Sequence, residues 1–414
     1  MSFLTFLRAN SPFLSAGALL ALTSSYGQTY FISLFAGEIR AEFGLSHGAW
    51  GGIYTAGTTI SAIVMVWAGA LTDRFRVRHL GAIVAVVLAL ACLLMAGAQN
   101  AAMLILAVFA LRFAGQGMMS HLSVVAMARW FVATRGRALS IAAMGYSVGQ
   151  AILPILFVAL LVHFDWQLLW VLAAGLVLLT MPVLARLLRA ERTPQSVAEE
   201  TQAVGMEGRH WTRRDVLHHW LFWLMVPVLL GPPAWGTALF FQQVHLTEVK
   251  GWALVDYVAL MPLFTAVAVG ATFAAGALID RFGSAVLAML YMIPYVISFC
   301  LMAAAETLFG AALSLVVFAL GAGIQATVPA ALWAEFFGTR HIGSVKALSV
   351  SLMVFGSAIG PGISGVLIDW GLSFPQQMWG YAVYFVVAGV VISFGLLRAQ
   401  KLLPSASEIN VQSA

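Results

Sequence analysis

Charged residues are scarce in this chain. They make up 9% of its 414 residues, against 62% that are hydrophobic. A soluble domain of this length would carry a very large exposed apolar surface at that balance. Cysteine is scarcer: Cys92 and Cys300 stand alone inside apolar runs, so there is no disulfide framework and both read as packing residues. No cluster of His, Cys, Asp and Glu has metal-ligand spacing, so no metal is expected. No Ser-His-Asp arrangement, Gly-rich phosphate loop or nucleotide fingerprint is present, so no cofactor is expected. A polytopic membrane enzyme would need such a cluster near an interface. No basic face is interleaved with aromatics, which argues against a nucleic-acid partner. No Asp or Glu falls in the middle of any long apolar run; Glu38 and Asp256 come nearest, at run ends.

What is present is a series of apolar runs. A helix of roughly 20 mostly apolar residues crosses about 30 Å of hydrocarbon. Twelve such runs lie at roughly 11–35, 47–71, 79–98, 101–121, 138–161, 167–188, 217–242, 254–278, 284–304, 308–332, 345–367 and 378–398. The expected fold is an all-α polytopic protein whose first partner is the lipid bilayer. The first run carries Tyr26, Gln28 and Tyr30, is too long for a signal-peptide core and lacks a small-residue cleavage site, so it reads as a retained helix. With the N-terminus in the cytoplasm, all but three of the 21 Lys and Arg fall on one side of the runs. Arg40 and Lys250 fall on the other, and Arg112 lies within a run. Basic residues in short loops stay cytoplasmic, so both termini are expected there, in a plasma membrane that for a bacterium is the inner one.

The longest polar gap, about 189–216, divides the runs six and six. The expected division is an N-terminal six-helix bundle over 1–190, a cytoplasmic linker over 191–215 and a C-terminal six-helix bundle over 216–414. The halves echo each other. Gly69-Ala70-Leu71-Thr72-Asp73-Arg74-Phe75 after run two is answered by Gly276-Ala277-Leu278-Ile279-Asp280-Arg281-Phe282-Gly283 after run eight. Arg135 after run four is answered by Arg340 after run ten, each preceded by an aromatic stretch and a Thr. Run five carries Gly145 and Gly149; run eleven carries Gly356, Gly360 and Pro361. Duplication of a six-helix unit marks a transporter that rocks two bundles about a central site.

The Gly-x-Leu-x-Asp-Arg signature, present twice, resembles that of the major facilitator superfamily, and the likeness runs over essentially the whole chain. It implies a secondary transporter working by alternating access. Arg76 stands where the family usually has a second Gly; the second copy keeps Gly283. The stretch Arg129-Trp130-Phe131 to Arg135-Gly136-Arg137-Ala138 is also similar to the monocarboxylate and oxalate–formate branch, whose basic residues in runs one and eight are absent here.

An Asp at the end of run two can face a helix N-terminus, where unpaired N–H groups and the dipole favour an anion. Asp73 is expected to approach the start of run eleven, and Asp280 the start of run five. Both contacts would hold the cytoplasmic ends together. Gly69 and Gly276 would allow close approach, with Arg74, Arg281, Arg135 and Arg340 completing the gating set. Within the bundle, Arg112 is the one full charge deep in hydrocarbon, and Gln116 lies one turn on. Two roles stay open for Arg112: its fork binds a substrate carboxylate, or it bonds helix carbonyls and fixes runs four and five. Polar stripes at helical spacing add Tyr26, Tyr30, Tyr54, Thr58, Tyr146, Gln150 and Gln325 as cavity candidates, since lipid cannot satisfy them. Pro227, Pro232 and Pro233 are expected to bend run seven into an outer gate walled by Trp235 and Phe240.

The expected function is secondary active transport of a small organic anion by a monomer. A coupling proton or ion would drive it. The alternative is a facilitator or exporter of neutral or amphipathic compounds, recognised by the Tyr and Trp lining.

Overall fold

The computed structural model describes residues 3–69, 71–131, 135–189, 204–338 and 340–403. They form helices joined by short turns, with no strand among the described residues. Chain order begins with α1 (Phe3–Thr23), broken helical turns over 24–35, α2 (Ala36–Phe43), α3 (His47–Ala68) and α4 (Val77–Ala96). Next come α5 (Ala101–Leu111), a π-helical segment (Arg112–Met119), α6 (Ser120–Trp130), α7 (Arg135–Leu161) and α8 (Trp166–Leu187). After the linker come α9 (Arg213–His218), α10 (Trp220–Phe241), α11 (Gln243–Lys250), α12 (Leu254–Val258), α13 (Met261–Phe282), α14 (Ser284–Leu290) and α15 (Met292–Ala304). The last are α16 (Leu308–Gln325), α17 (Val328–Phe337), α18 (Ile342–Asp369) and α19 (Phe374–Ala399). Among the described residues, eleven helical runs are long and apolar enough to cross a membrane. The twelfth expected crossing starts in α1, which carries Arg8, Asn10 and Pro12 and is more polar than the rest.

Helix starts are written locally. Ser46 caps α3, its Oγ accepting the Ala49 amide at 3.1 Å; Asn100 caps α5 through the Met103 amide at 3.0 Å. Thr212 with Asp215, and Ser373 with Gln376, form reciprocal capping boxes. Gly44 and Gly251 end α2 and α11 in the left-handed region, at φ 61° and 68°.

The chain forms two compact units. The first comprises Met1–Glu199 with Phe240–Pro262 and Pro361–Trp370; the second comprises Glu200–Leu239, Leu263–Gly360 and Gly371–Ala414. Two short stretches from the second half of the sequence thus pack within the first unit. Helix α18 belongs to the second unit as far as Gly360 and to the first from Pro361.

In the first unit α7 lies against α1. A Cβ on Gly145 would run into the Ala18 carbonyl, and one on Gly149 into Ser25 Oγ. The rings of Phe31, Phe35, Phe157 and Trp170 interlock nearby, with Phe31 centred 4.8 Å from Phe157 and 5.3 Å from Trp170. The second unit repeats the device: Gly356 and Gly360 of α18 sit on the carbonyls of Leu230 and Ala234 in α10. Close backbone contact between small residues is how helices associate where no hydrophobic drive separates them from lipid. A second aromatic core, Tyr295, Phe299, Phe318 and Phe385, fills that unit.

Helix α10 runs unbroken through its three prolines. Pro232 lacks the N–H that would bond the Val228 carbonyl, and Tyr291 supplies a hydroxyl to that carbonyl at 3.2 Å. Tyr384 donates to the Pro227 carbonyl at 2.8 Å, in the space left by Gly231. Of the linker, 204–212 folds back onto α17: the Trp211 amide donates to the Phe337 carbonyl at 3.1 Å, and its ring packs on Phe337.

Candidate functional site

The first crossing breaks where its sequence reads Ser24-Ser25-Tyr26-Gly27-Gln28. Helix α1 ends at Thr23, a 3₁₀ turn covers 24–27, and Gln28 is extended at φ −87°, ψ 152°. Gly27 meets Gly115 in the π-helical segment: a Cβ on Gly27 would lie 2.7 Å from Gly115 Cα. The break frees backbone acceptors in the interior, and Arg112 uses one. Its Nη1 donates to the Gly27 carbonyl at 3.1 Å and makes a longer contact with Thr29 Oγ1 at 3.4 Å. Thr29 Oγ1 in turn pairs with the Tyr54 hydroxyl at 2.5 Å, and the guanidinium lies over the Tyr54 ring, 5.4 Å from its centre. Arg112 therefore ties run four to the broken part of run one, rather than to run five as expected. The π turn also moves Gln116 off the i, i+4 register, because one turn takes more residues than in an α-helix.

Arg112 is 1% exposed, and no carboxylate pairs with it among the described residues. Its Nε has no hydrogen-bond partner, and neither do the buried hydroxyls of Ser25, Tyr30 and Thr58. The ring of Tyr30 packs edge-on against Tyr146 with centres 5.8 Å apart. The structure thus gathers Arg112, Tyr54, Tyr30 and Tyr146, with Thr29 as a member not anticipated. Tyr26 instead packs among Phe31 and Phe157. Gln150 is buried, Gln116 is half-buried, and Gln325 lies in the second unit, where it accepts the Tyr295 hydroxyl at 2.6 Å.

The expected outer-gate residues separate. Trp235 stacks on Tyr381 in the second unit, ring centres 4.3 Å apart. In the first unit Phe241 covers Trp50 and Tyr54, at 5.9 and 4.7 Å. The Phe240 carbonyl accepts from Ser33 Oγ at 2.7 Å. Gln243, 1% exposed, donates to Ser33 Oγ at 2.9 Å and to the Tyr30 carbonyl at 3.3 Å. Gln242 donates to Ser364 Oγ at 3.0 Å. The Gln-Gln pair at the end of an apolar run was the available signal for these contacts.

Of the gating set, the side chains of Asp73, Arg74, Arg135 and Asp280 lie outside the described residues. Gly69 and Gly276 lie near the ends of α3 and α13; a Cβ on Gly276 would meet nothing within 4 Å, so the close approach expected there is not seen among the described residues. Arg281 sits over the Phe282 ring at 5.2 Å, and Arg340 is exposed. A cavity of about 1010 Å³ opens between α2, the end of α4 and the start of α8, with Glu38, Glu42, Asp165 and Trp166 on its walls. None of the candidate residues lines it, and Glu42 is already occupied by Trp166 Nε1 and Gln167 Nε2, both at 2.7 Å. Buried polar groups meet at Arg112, whereas this groove is open and its Glu42 carboxylate is already bonded.

Comparisons with known proteins give the fold a family. No curated protein matches the chain. Among solved structures it is similar to a bacterial homolog of the human lysosomal transporter Spinster in an inward-facing, unoccupied conformation, with 16% identity, 96% of this chain and 99% of that chain covered, and a TM-score of 0.72. It is similar to a mutant of the nucleoside transporter NupG, with 12% identity, 94% and 99% covered, and a TM-score of 0.69. A family model described as Major Facilitator Superfamily matches residues 17–361. The chain therefore belongs to the Major Facilitator Superfamily, and it is a membrane transporter and not an enzyme.

Proposed function

We propose that this transporter carries a small organic anion by alternating access between two six-helix bundles, 1–190 and 216–414, with Arg112 as the counter-charge. The observation that supports this most is the buried guanidinium itself. A charge within a span costs roughly 3 kcal/mol on insertion scales, and one carbonyl and a weak hydroxyl contact leave it electrically unmatched. Its unused Nε–H is a donor, and the buried hydroxyls of Ser25, Tyr30 and Thr58 on runs one and two can each donate as well. A carboxylate is acceptor-only when ionised and matches that set. The bundle offers it aromatic walls in Tyr54 and Tyr146. A coupling proton or ion moving with its gradient would drive it; the protein works as a monomer with both termini cytoplasmic.

The test is counterflow in proteoliposomes with a panel of mono- and dicarboxylates beside neutral solutes of like size. Saturable exchange of an anion, lost in Arg112→Gln at matched folded protein, supports the reading. Exchange of neutral solutes alone would replace it. One observation favours that second reading: Arg112 already donates to the Gly27 carbonyl and is 1% exposed, so it also holds the break in run one closed.

A further inference from the structure

Helix α18 ends in Asp369, and α3 begins at His47 beside it; Asp369 and His47 both belong to the first unit. The carboxylate of Asp369 accepts from Ser46 Oγ at 2.6 Å, from the His47 amide at 3.0 Å and from the Gly48 amide at 2.8 Å. Ser46 is also the N-cap of α3, so its hydroxyl gives its hydrogen to Asp369 while accepting the Ala49 amide at 3.1 Å. One helix thus ends in the anion that completes the N-terminus of another, where free N–H groups and the dipole favour negative charge.

Glycines bring the two backbones together along this line. A Cβ on Gly48 would lie 2.5 Å from Asp369 Oδ2, one on Gly51 2.5 Å from the Pro361 carbonyl, and one on Gly362 2.7 Å from Thr55 Oγ1; one on Gly365 would strike the His47 carbonyl. Gln242 reaches Ser364, and Gln243 reaches Ser33, so the start of α11 closes over the same end. Asp369 is exposed, and water can take over its bonds when it lets go. Such a contact is strong enough to hold and cheap to release. Asp369 ends α18, one helix length away from the run-eleven start that Asp73 is expected to meet.

We infer that Asp369 is a releasable latch on the outer side of the transporter. Its carboxylate holds the end of α18 on the start of α3, and its release frees α18 and α11 together. The test is amide hydrogen exchange read by mass spectrometry on the full-length protein in nanodiscs, comparing wild type, Asp369→Asn and, as a control carboxylate on the same side, Asp165→Asn. A latch predicts that in Asp369→Asn exchange rises about tenfold or more in peptides covering 45–52, and also in 240–250 and 361–370, with the control unchanged. If only 45–52 responds, Asp369 is a local helix cap and the latch is overturned. An unchanged pattern overturns it as well. If Asp369→Asn does not fold, Asp369→Glu keeps the charge with one more methylene. The same three peptides must then show a smaller rise, and no rise beyond 45–52 again sinks the latch.

Discussion

At the scale of single residues, Arg112 was legible from the sequence and its partner was not. A lone charge in an apolar run must face inward, and it does; but the break that exposes the Gly27 carbonyl depends on Gly115, 88 positions on, meeting Gly27. Losing the guanidinium should cost tenfold to a hundredfold in affinity for an anion, about 1.5–3 kcal/mol for a charged hydrogen bond. Lys should rescue poorly because it lacks the fork. Binding at matched folded protein checks this; unchanged affinity in Arg112→Gln for every anion the wild type carries would leave Arg112 a purely structural residue. His245, on α11, gives a pH dependence. Burial first, and Arg40 second, hold its imidazolium below the ordinary 6.5. Its ring meets His47 with centres 4.4 Å apart, and the charges of Glu248 and Asp369 act on Arg40. The folded protein favours the neutral ring. That stability is whole above pH 6.5 and is lost as pH falls through the lower folded value. The unfolding temperature should therefore drop between pH 7 and pH 5, and less so in His245→Gln. An equal drop in both would place the titration elsewhere.

At the scale of elements, hydropathy gives the crossings because lipid leaves helices as the solution for most of them. It does not give breaks. Run one looks continuous since Ser, Tyr and Gly interrupt apolarity only briefly, and the π segment has no periodic mark at all. Prolines in run seven suggested a bend, and the unbroken α10 shows where the missing bonds went. Tyr291 serves the Val228 carbonyl that Pro232 cannot, so the two residues should be coupled. Tyr291→Phe should destabilise by about 0.6 kcal/mol, the usual scale for such bonds in membranes. Pro232→Ala, which restores the N–H, should remove that loss. A double-mutant cycle in thermal or denaturant unfolding reads the coupling, and additivity would detach the two. The glycine seams make a stricter claim. Gly145→Ala and Gly360→Ala each push a methyl into a backbone carbonyl and should cost about 1–3 kcal/mol. Gly276→Ala, whose Cβ meets open space, serves as the neutral comparison.

At the scale of the whole molecule, the doubled Asp-Arg signature and the matched glycines of α7 and α18 are one fact read twice: a six-helix unit was duplicated, and what packs α1 against α7 also packs α10 against α18. Sequence repetition reveals devices that occur in both halves. It says less about a contact recorded in one half alone, such as that of Asp369 with the start of α3. If Asp73 gates as expected and Asp369 is the latch inferred above, the two carboxylates belong to one balance. Asp73 is expected to favour closure at the basic, cytoplasmic end, and Asp369 at the other, so they should bias the population in opposite directions. Each tenfold change in that ratio is 1.4 kcal/mol, and a ratio moves only by the difference in free energy between the states. Asp73→Asn should raise labelling by a thiol reagent applied from the cytoplasmic side, at a cysteine placed in the bundle interior of a Cys92→Ser, Cys300→Ser background. Asp369→Asn should lower it and raise labelling from outside. The double variant should return both toward wild type, because two opposed biases of like size cancel. If the double variant is open from both sides at once, the two carboxylates are independent seals and not weights on one equilibrium. If Asp73→Asn alone changes nothing while transport stays normal, Asp73 is a topology charge, and the balance rests on Asp369 without a counterpart.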